Sequence, residues 1–293
     1  MSPASIARLL CLAAIWGGAF MIIRIAAPVV GPVPLIVARV GLAAIFLTVV
    51  ARISSRRLNV AAHWRHYLIL GTLNGAVPFL LYGYAAQTLS ASVMTILNAT
   101  SPIWSTVIGA MVSRRPLERG TAVGLFLGVA GVAIVVGLDR VTLPSGAQGA
   151  IAACLLAAFS YGVAATYART AKSVDSFSSA QGSMWAATAI AVPLIALAPP
   201  PGPPAVHVVL ALLVLGIVCT GFAFLLFFRL VQDIGAGTAL TVTFLIPVFG
   251  IAWGSIFLGE RIGWNTIIGS ALVIAGTALV AAGPLRRVRA QMR

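Results

Sequence analysis

Residues 91–135 read ASVMTILNATSPIWSTVIGAMVSRRPLERGTAVGLFLGVAGVAIV, and residues 236–280 read AGTALTVTFLIPVFGIAWGSIFLGERIGWNTIIGSALVIAGTALV. A constant offset of 145 residues separates the two stretches, and ten of their 45 aligned positions are identical, among them Pro102 with Pro247 and Gly131 with Gly276. About four identities would arise by chance in so apolar a composition. The placement of the matches therefore carries more weight: a proline lies early in one apolar helix, and small residues lie in the next. The pattern predicts two copies of one unit.

The composition indicates a membrane protein. Hydrophobic residues make up 60% of the chain and charged residues 8%, whereas soluble domains are about 25% charged. The formal net charge of +14 does not indicate nucleic-acid binding, because the basic residues lie between apolar runs and do not form one continuous basic face. The three cysteines lie far apart inside apolar runs and are predicted to be small core residues, with no disulfide or metal site. The apolar N-terminus contains Arg24 and is predicted to be a retained helix.

A bilayer core requires about 20 apolar residues per helix, and this length divides the chain into ten predicted spans. They lie near residues 7–29, 33–51, 67–87, 91–112, 120–138, 149–169, 177–198, 206–228, 237–258 and 264–282. The predicted fold class is therefore all-α, a polytopic membrane protein with ten transmembrane helices. The predicted domains are two five-helix repeats, residues 1–145 and 146–293. Because five is an odd number, the second repeat enters the membrane inverted, as in transporters that work by alternating access. Duplication for stability alone is the other interpretation.

The basic residues predict the orientation of the chain. With both termini on the cytoplasmic side, that side receives 15 of the 19 Lys and Arg residues, the outer side receives Arg140 and Arg261, and Arg24 and Arg39 lie within spans. Positively charged loops are retained in the cytoplasm. We therefore expect a multi-pass protein with cytoplasmic N- and C-termini.

Several short motifs resemble those of the ten-helix EamA-type transporters of the drug/metabolite transporter superfamily. They are Trp16-Gly17-Gly18, Pro34 followed by Arg39, Pro102, and Pro247 leading to Gly259-Glu260 and a glycine-rich last helix. The chain most resembles the bacterial exporters of aromatic amino acids and methyl viologen, on overall similarity without a substrate motif. The resemblance implies an inner-membrane exporter with a central cavity between the third, fourth, eighth and ninth helices. The other interpretations are a broad metabolite or drug exporter and a passive facilitator of the same superfamily.

Polar and aromatic side chains deep in the spans are the candidates for this cavity. Thr95, Asn98 and Pro102 share one face of the fourth helix, and Asn74 and Tyr82 share one face of the third. The predicted substrate-binding residues are Trp16, Asn74, Tyr82, Thr95, Asn98 and Tyr161. Close helix packing is the alternative role, above all for Thr95, and aromatic residues in membrane cores also serve packing.

Three charged residues are candidates for a gate. Arg24 and Arg39 lie about five residues from the predicted outer ends of their helices, where they could snorkel as structural anchors. Alternatively, they hold a gate or attract a substrate carboxylate. Glu260 is the acidic residue of the Gly-Glu motif, and a bond to Arg261 or to the loops of the first half is its structural alternative.

The sequence gives no indication of an enzyme. His63, His66 and His207 lie in loops or at span ends without a nearby acid or metal-ligand spacing, and no phosphate-binding glycine loop is present. All five carboxylates map to span ends or loops, which makes carboxylate-driven antiport doubtful. We therefore expect no cofactor and no metal. The expected partners are membrane lipid and a small-molecule substrate, with the protein functional as a monomer.

Overall fold

The computed structural model describes residues 1–114, 117, 119–137, 146–171 and 174–291, and these residues form helices without any strand. We number ten helices in chain order, counting a helix with a changed hydrogen-bonding pattern or a short interruption as one. They are α1 (Pro3–Val30), α2 (Pro32–Ile53), α3 (Val60–Ala85), α4 (Ala91–Asn98 and Ser101–Ser113), α5 (Arg119–Gly137), α6 (Ala147–Thr170), α7 (Ser176–Ala191 with the 3₁₀ turn Val192–Ala196), α8 (Val206–Ile234), α9 (Ala236–Ala239 and Val242–Leu258) and α10 (Trp264–Gln291).

Seven of these helices, α1, α2, α3, α5, α6, α8 and α10, are long and apolar enough to cross a membrane, and Val242–Leu258 of α9 is a shorter apolar helix. The predicted spans 91–112 and 177–198 correspond to α4 and α7, whose helical runs are shorter because each is interrupted or ends in a 3₁₀ turn. The prediction of an all-α polytopic membrane protein is confirmed.

Three helices extend six or more residues beyond their predicted spans, and one of them is α10, which ends at Gln291, nine residues past residue 282. Helix α3 begins at Val60, seven residues before the predicted span, and Asn59 Oδ1 caps it by accepting from the Ala62 amide at 3.3 Å. Helix α8 continues to Ile234, six residues past the predicted span. Hydropathy marks where apolar residues end, whereas backbone hydrogen bonds continue into polar ends such as that of α8. The predicted boundary between the repeats, at residues 145 and 146, has its first residue outside the described part of the chain.

Proline accounts for the break in α4. Pro102 has no amide hydrogen to donate to the carbonyl of Asn98, four residues earlier. That carbonyl accepts instead from Ser101 Oγ at 2.6 Å, and the chain turns through Ala99 and Thr100 before the second part of the helix begins. The break therefore places Asn98 at a helix end in the interior of the bundle, where its side chain can serve a site.

Helices α3 and α8 each contain a π-helical segment, Gly71–Ala76 and Val214–Phe222. Adding the 145-residue offset to the first segment gives residues 216–221, which lie within the second. A Cβ on Gly71 would lie 2.7 Å from Ala186 Cβ of α7, and one on Gly216 would lie 2.6 Å from Leu42 Cβ of α2. The two equivalent glycines therefore allow close approach to a neighbouring helix, and π segments are frequent at functional sites.

The 145-residue offset relates each helix of the first half to one of the second half, and related helices pack against related neighbours. Helix α1 packs against α9 and α8, as α6 packs against α4 and α3; α2 packs against α8, as α7 packs against α3. Helices α5 and α10 pack against each other, where a Cβ on Gly124 would lie 2.6 Å from the Gly276 carbonyl oxygen. Helices α1, α3, α4 and α6 converge on the site described next.

Candidate functional site

Tyr82 of α3 lies at the centre of an aromatic and polar cluster. Its side chain is 1% exposed, and its hydroxyl donates a hydrogen bond to Asn98 Oδ1 of α4 at 3.0 Å. The ring of Phe20 on α1 meets Tyr82 edge-on at 5.1 Å between ring centroids, and Tyr161 on α6 lies at 6.3 Å with nearly parallel planes. Three helices thus supply three aromatic rings, and a fourth supplies Asn98, which completes a hydrogen-bonded polar pair. Such a surface suits a flat apolar group with a polar end.

Tyr161 is half-buried and packs against two of the apolar clusters of the bundle. One cluster contains Phe20 and Tyr82, and the other contains Phe79 and residues of α2 and α7. Tyr161 therefore lies between the two apolar regions. Tyr161 is also more exposed than Tyr82.

Arg39 of α2 lies beside this cluster and is 7% exposed. Its Nε donates to Thr220 Oγ1 of α8 at 3.0 Å, and its guanidinium carbon lies 3.6 Å from the centroid of the Phe79 ring. Thr220 lies in the π segment of α8 and donates onward to the Leu215 carbonyl at 2.8 Å. Arg39 is therefore held by two helices that carry π segments.

The snorkelling geometry expected for Arg39 is not what the structure shows. Arg39 is seven residues into α2, about 10 Å from the start of the helix at 1.5 Å per residue. Thr220 is 14 residues into α8, about 21 Å from its start on the same scale. The side chain of Arg39 thus points into the bundle, where it bonds Thr220 and lies against the Phe79 ring.

Arg24 and Glu260 both bond helix ends on the predicted outer side. Arg24 donates from Nη1 to the carbonyl of Ala86, the residue that ends α3, at 2.6 Å. Glu260 follows α9 and accepts from the backbone amides of Ala91 and Ser92 at 2.6 and 3.0 Å, and from the Ser92 hydroxyl. Its partner is therefore the start of α4 in the first half of the chain, not Arg261. The two residues join helices at the same predicted side of the bundle.

The other predicted site residues make no hydrogen bond to the Tyr82–Asn98 pair among the residues that the structure describes. Trp16 is half-buried and packs against Phe227 of α8 at 5.6 Å between centroids. Asn74 lies half-buried in the π segment of α3, and no hydrogen bond to its side chain occurs among the described residues. Thr95 is fully buried, donates to the carbonyls of Ala91 and Ser92, and fills the space beside Gly250. The surroundings of Thr95 therefore fit close helix packing, the alternative to substrate binding.

Sequence reasoning missed Phe79 and Thr220. Phe79 lies one turn before Tyr82 on α3, so the i, i+3 spacing could have placed it on the same face. Thr220 is a polar residue inside the apolar run of α8, four residues after Gly216, the counterpart of Gly71. Both signals are weak without the neighbouring helices.

A cavity opens on the predicted cytoplasmic side between α2, α7 and α8. Its volume is about 490 Å³, and its lining includes Arg56, Asp175, Phe177, Phe228 and Arg229. Arg56 Nη1 lies 3.8 Å from Asp175 Oδ1, and both side chains are more than half exposed. The cavity therefore combines charged groups at the surface with aromatic rings from α7 and α8.

Asp175 caps α7, and its pKa predicts how the cap responds to pH. Oδ1 accepts from the amides of Phe177 and Ser178, both at 3.1 Å. Burial raises the pKa of Asp175, but the hydrogen bonds from Ser178 and Phe177 and the nearby Arg56 outweigh burial and place it below its ordinary value. Because the folded-state pKa is the lower one, the stabilisation is complete above the unfolded value of about 3.9 and is lost as the pH falls through the folded value.

Asp175→Ala should therefore destabilise the protein by about 0.5–2 kcal/mol at pH 7, whereas Asp175→Asn should retain most of the cap. The difference in melting temperature between wild type and Asp175→Ala should stay constant from about pH 5 to pH 8 and shrink below about pH 4. Thermal unfolding in detergent across this range checks the prediction. A difference that changes between pH 6 and pH 8 would contradict the assigned protonation state.

Glu260→Gln should weaken the junction between α9 and α4. The change removes the negative charge that accepts three hydrogen bonds at the start of α4, and charge-assisted bonds are roughly twice as strong as neutral ones. We expect a loss of about 1–2 kcal/mol, measured as a lower melting temperature. The matched control is Arg261→Gln, which alters the adjacent exposed charge and should leave the melting temperature unchanged. Equal melting of the two variants would mean that the junction contributes nothing.

Both halves of the chain match the same protein family. The model of the EamA-like transporter family matches residues 4–137 and again residues 148–282. The chain is 24% identical over 266 residues to the uncharacterized transporter YoaV of Bacillus subtilis (strain 168), covering 89% of this chain and 91% of that protein. A shorter stretch of 46 residues is 46% identical to a probable terminal-alkyne amino-acid exporter of Streptantibioticus cattleyicolor and covers 16% of each protein.

A solved crystal structure has the same fold. It superposes with a TM-score of 0.68 at 16% identity and covers 96% of this chain and 98% of its own. At that identity the likeness concerns the fold alone. The whole-length family match and the transporter relative, together with the polytopic helical fold, indicate a transporter of small molecules and not an enzyme. The chain belongs to the EamA-like transporter family.

Proposed function

We propose that this transporter exports neutral amino acids with aromatic side chains by alternating access. The observation that carries the proposal is the cluster in which Phe20, Tyr82 and Tyr161 surround the Tyr82–Asn98 hydrogen bond. Aromatic rings offer stacking faces to a substrate ring, and a buried polar pair gives a polar group a place to bind. The partial similarity to an amino-acid exporter supports the same substrate class.

The proposed mechanism uses the two halves, residues 1–145 and 146–293, as inverted repeats that exchange conformations. The exchangeable packing pairs and the equivalent π segments of α3 and α8 support it. Glu260 and Arg24 close the predicted outer side through bonds to helix ends, while the cavity of about 490 Å³ opens on the predicted cytoplasmic side. Breaking the bonds of Glu260 accompanies opening to the outside.

The proposal assigns the protein to the bacterial inner membrane as a monomer with both termini in the cytoplasm. In this proposal the substrate binds at Tyr82, Asn98 and Tyr161. Trp16 and Asn74 line the edge of the site, and Thr95 contributes to the helix packing that supports it. Arg24 and Glu260 act at the outer gate. Bacterial expression and membrane fractionation provide the setting for the functional test.

Efflux from cells tests the proposal. Cells expressing the protein should lose preloaded radiolabelled phenylalanine or tryptophan faster than cells carrying an empty vector, and should tolerate higher concentrations of the toxic analogue p-fluorophenylalanine. Preloaded alanine and glutamate serve as controls and should leave the cells at the vector rate. Faster loss of all four amino acids would indicate a broad metabolite exporter. Faster loss of none would contradict amino-acid export.

A further inference from the structure

Arg39 is a buried cation without an ion-pair partner among the residues that the structure describes. Of the acidic residues that the structure describes, Asp175 caps α7 beside Arg56, Asp233 bonds Arg8 and Arg229, and Glu260 caps α4. Arg39 makes no ion pair within the described part of the chain, although it is 93% buried in a membrane-spanning helix. Uncompensated charges inside membrane proteins are costly, and those that persist mark substrate or ion sites.

The guanidinium group of Arg39 is held in one orientation, and only part of its hydrogen-bonding capacity is occupied. Nε is occupied by Thr220 at 3.0 Å, and one face lies on the Phe79 ring. Neither terminal nitrogen donates a hydrogen bond to another described residue. A planar guanidinium with two free terminal nitrogens matches the two oxygens of a carboxylate, and its fixed orientation reduces the entropy lost on binding.

The surroundings of Arg39 suit the remainder of an aromatic amino acid. Phe79 lies one turn before Tyr82 on α3, and Tyr161 packs against the apolar cluster that contains Phe79. Phe79 contacts the guanidinium itself. A carboxylate bound at Arg39 would therefore have aromatic surfaces beside it for the apolar part of the same molecule.

We infer that Arg39 binds the carboxylate of the transported molecule. The substrate is then an aromatic compound carrying a carboxylate, and aromatic cations without a carboxylate are rejected by the charge of Arg39. The inference rests on the proposed function and narrows it. It also links substrate binding to both halves of the chain, because Arg39 belongs to α2 and its partner Thr220 belongs to the π segment of α8.

A series of phenylalanine analogues tests this inference in proteoliposomes. Unlabelled competitors are added during exchange of labelled phenylalanine: phenylalanine itself, 3-phenylpropionate without the amino group, and phenethylamine without the carboxylate. For the wild-type protein, 3-phenylpropionate should compete and phenethylamine should compete at least about tenfold more weakly than phenylalanine, because it lacks the charge-assisted bonds to Arg39. Equal competition by phenethylamine would overturn the inference without any mutation.

Variants of Arg39 provide the second arm. Arg39→Gln should reduce the apparent affinity for phenylalanine about tenfold or more and remove the preference for competitors that carry a carboxylate, whereas Arg39→Lys should retain the preference because it keeps the charge. Arg8→Gln is the control: this arginine bonds Asp233 at the predicted cytoplasmic side, so the order of the three competitors should remain that of the wild type. Size-exclusion profiles and melting temperatures verify that each variant is folded.

The outcomes separate the two proposals. If the wild type exchanges aromatic compounds without regard to the carboxylate, or if Arg39→Gln keeps the wild-type order of competitors, the role of Arg39 is overturned and aromatic export stands. If the wild type exchanges none of the aromatic compounds, both proposals are overturned. If a variant does not fold, competition by the analogues on the wild-type protein decides the role of the carboxylate, because that experiment requires no substitution.

Discussion

Asn98→Leu should reduce export of aromatic substrate at least about tenfold. The change leaves the Tyr82 hydroxyl without its acceptor in a site where Tyr82 is 1% exposed. A buried polar group without a partner costs about 1–3 kcal/mol. In addition, the substrate loses the polar end of the aromatic cluster. The melting temperature in detergent measures the cost of the unpaired hydroxyl, and efflux from preloaded cells measures the loss of transport.

The double variant Tyr82→Phe, Asn98→Leu separates stability from transport. Removing both partners of a buried hydrogen bond is far less costly than removing one, so the double variant should melt at a higher temperature than Asn98→Leu alone. Its transport should remain low, because both polar groups of the site are absent. Transport at the wild-type rate in Asn98→Leu, with normal expression, would show that the pair serves packing only.

Gly17→Ala should destabilise the folded protein by about 1–3 kcal/mol or more. A Cβ at this position of α1 would lie 2.8 Å from the backbone nitrogen of Gly250 and 2.8 Å from Phe249 Cβ. These are backbone and near-backbone atoms of α9, which cannot move aside like the end of a flexible side chain. The two helices would have to separate, and the packing of α9 against Thr95 of α4 depends on the same contact region.

The adjacent glycine supplies the control. A Cβ on Gly18 would lie 3.4 Å from Trp253 Cδ1, so Gly18→Ala should be tolerated and should gain up to about 1 kcal/mol of helix propensity. Thermal unfolding of both variants in the same detergent gives the comparison. Similar melting temperatures would contradict the close approach of α1 and α9.

The sequence repeat predicts equivalent helices, but equivalent residues need not form the same local structure. Pro102 and Pro247 align, yet α4 is interrupted beside Pro102, whereas Pro247 lies inside the continuous segment Val242–Leu258. In α4 the carbonyl freed by proline accepts from the Ser101 hydroxyl. The counterpart of Ser101 is Ile246, which has no donor to offer. The difference is visible only when the side chain at each freed carbonyl is considered.

The members of the candidate site could be predicted in part. Polarity and spacing identified Tyr82 and Asn98 on separate helices, and the structure brings them to 3.0 Å; their role in binding stays a prediction. The depth of Arg39 also followed from the sequence, but its direction did not. Whether an arginine turns to the surface or to the interior depends on the groups that other helices offer, and Phe79 and Thr220 are distant from it in sequence.

Counterflow in proteoliposomes tests directly whether the protein transports aromatic amino acids by alternating access. Vesicles containing the purified protein are preloaded with unlabelled phenylalanine or tryptophan, and uptake of the labelled compound is followed, with alanine and glutamate as controls. Alternating access with an aromatic substrate predicts accelerated, saturable uptake for the aromatic amino acids alone, because a carrier returns its site to the opposite side faster when it is loaded. Uptake that is unaffected by preloading would contradict alternating access, and absence of exchange for every amino acid would contradict the proposed substrate class.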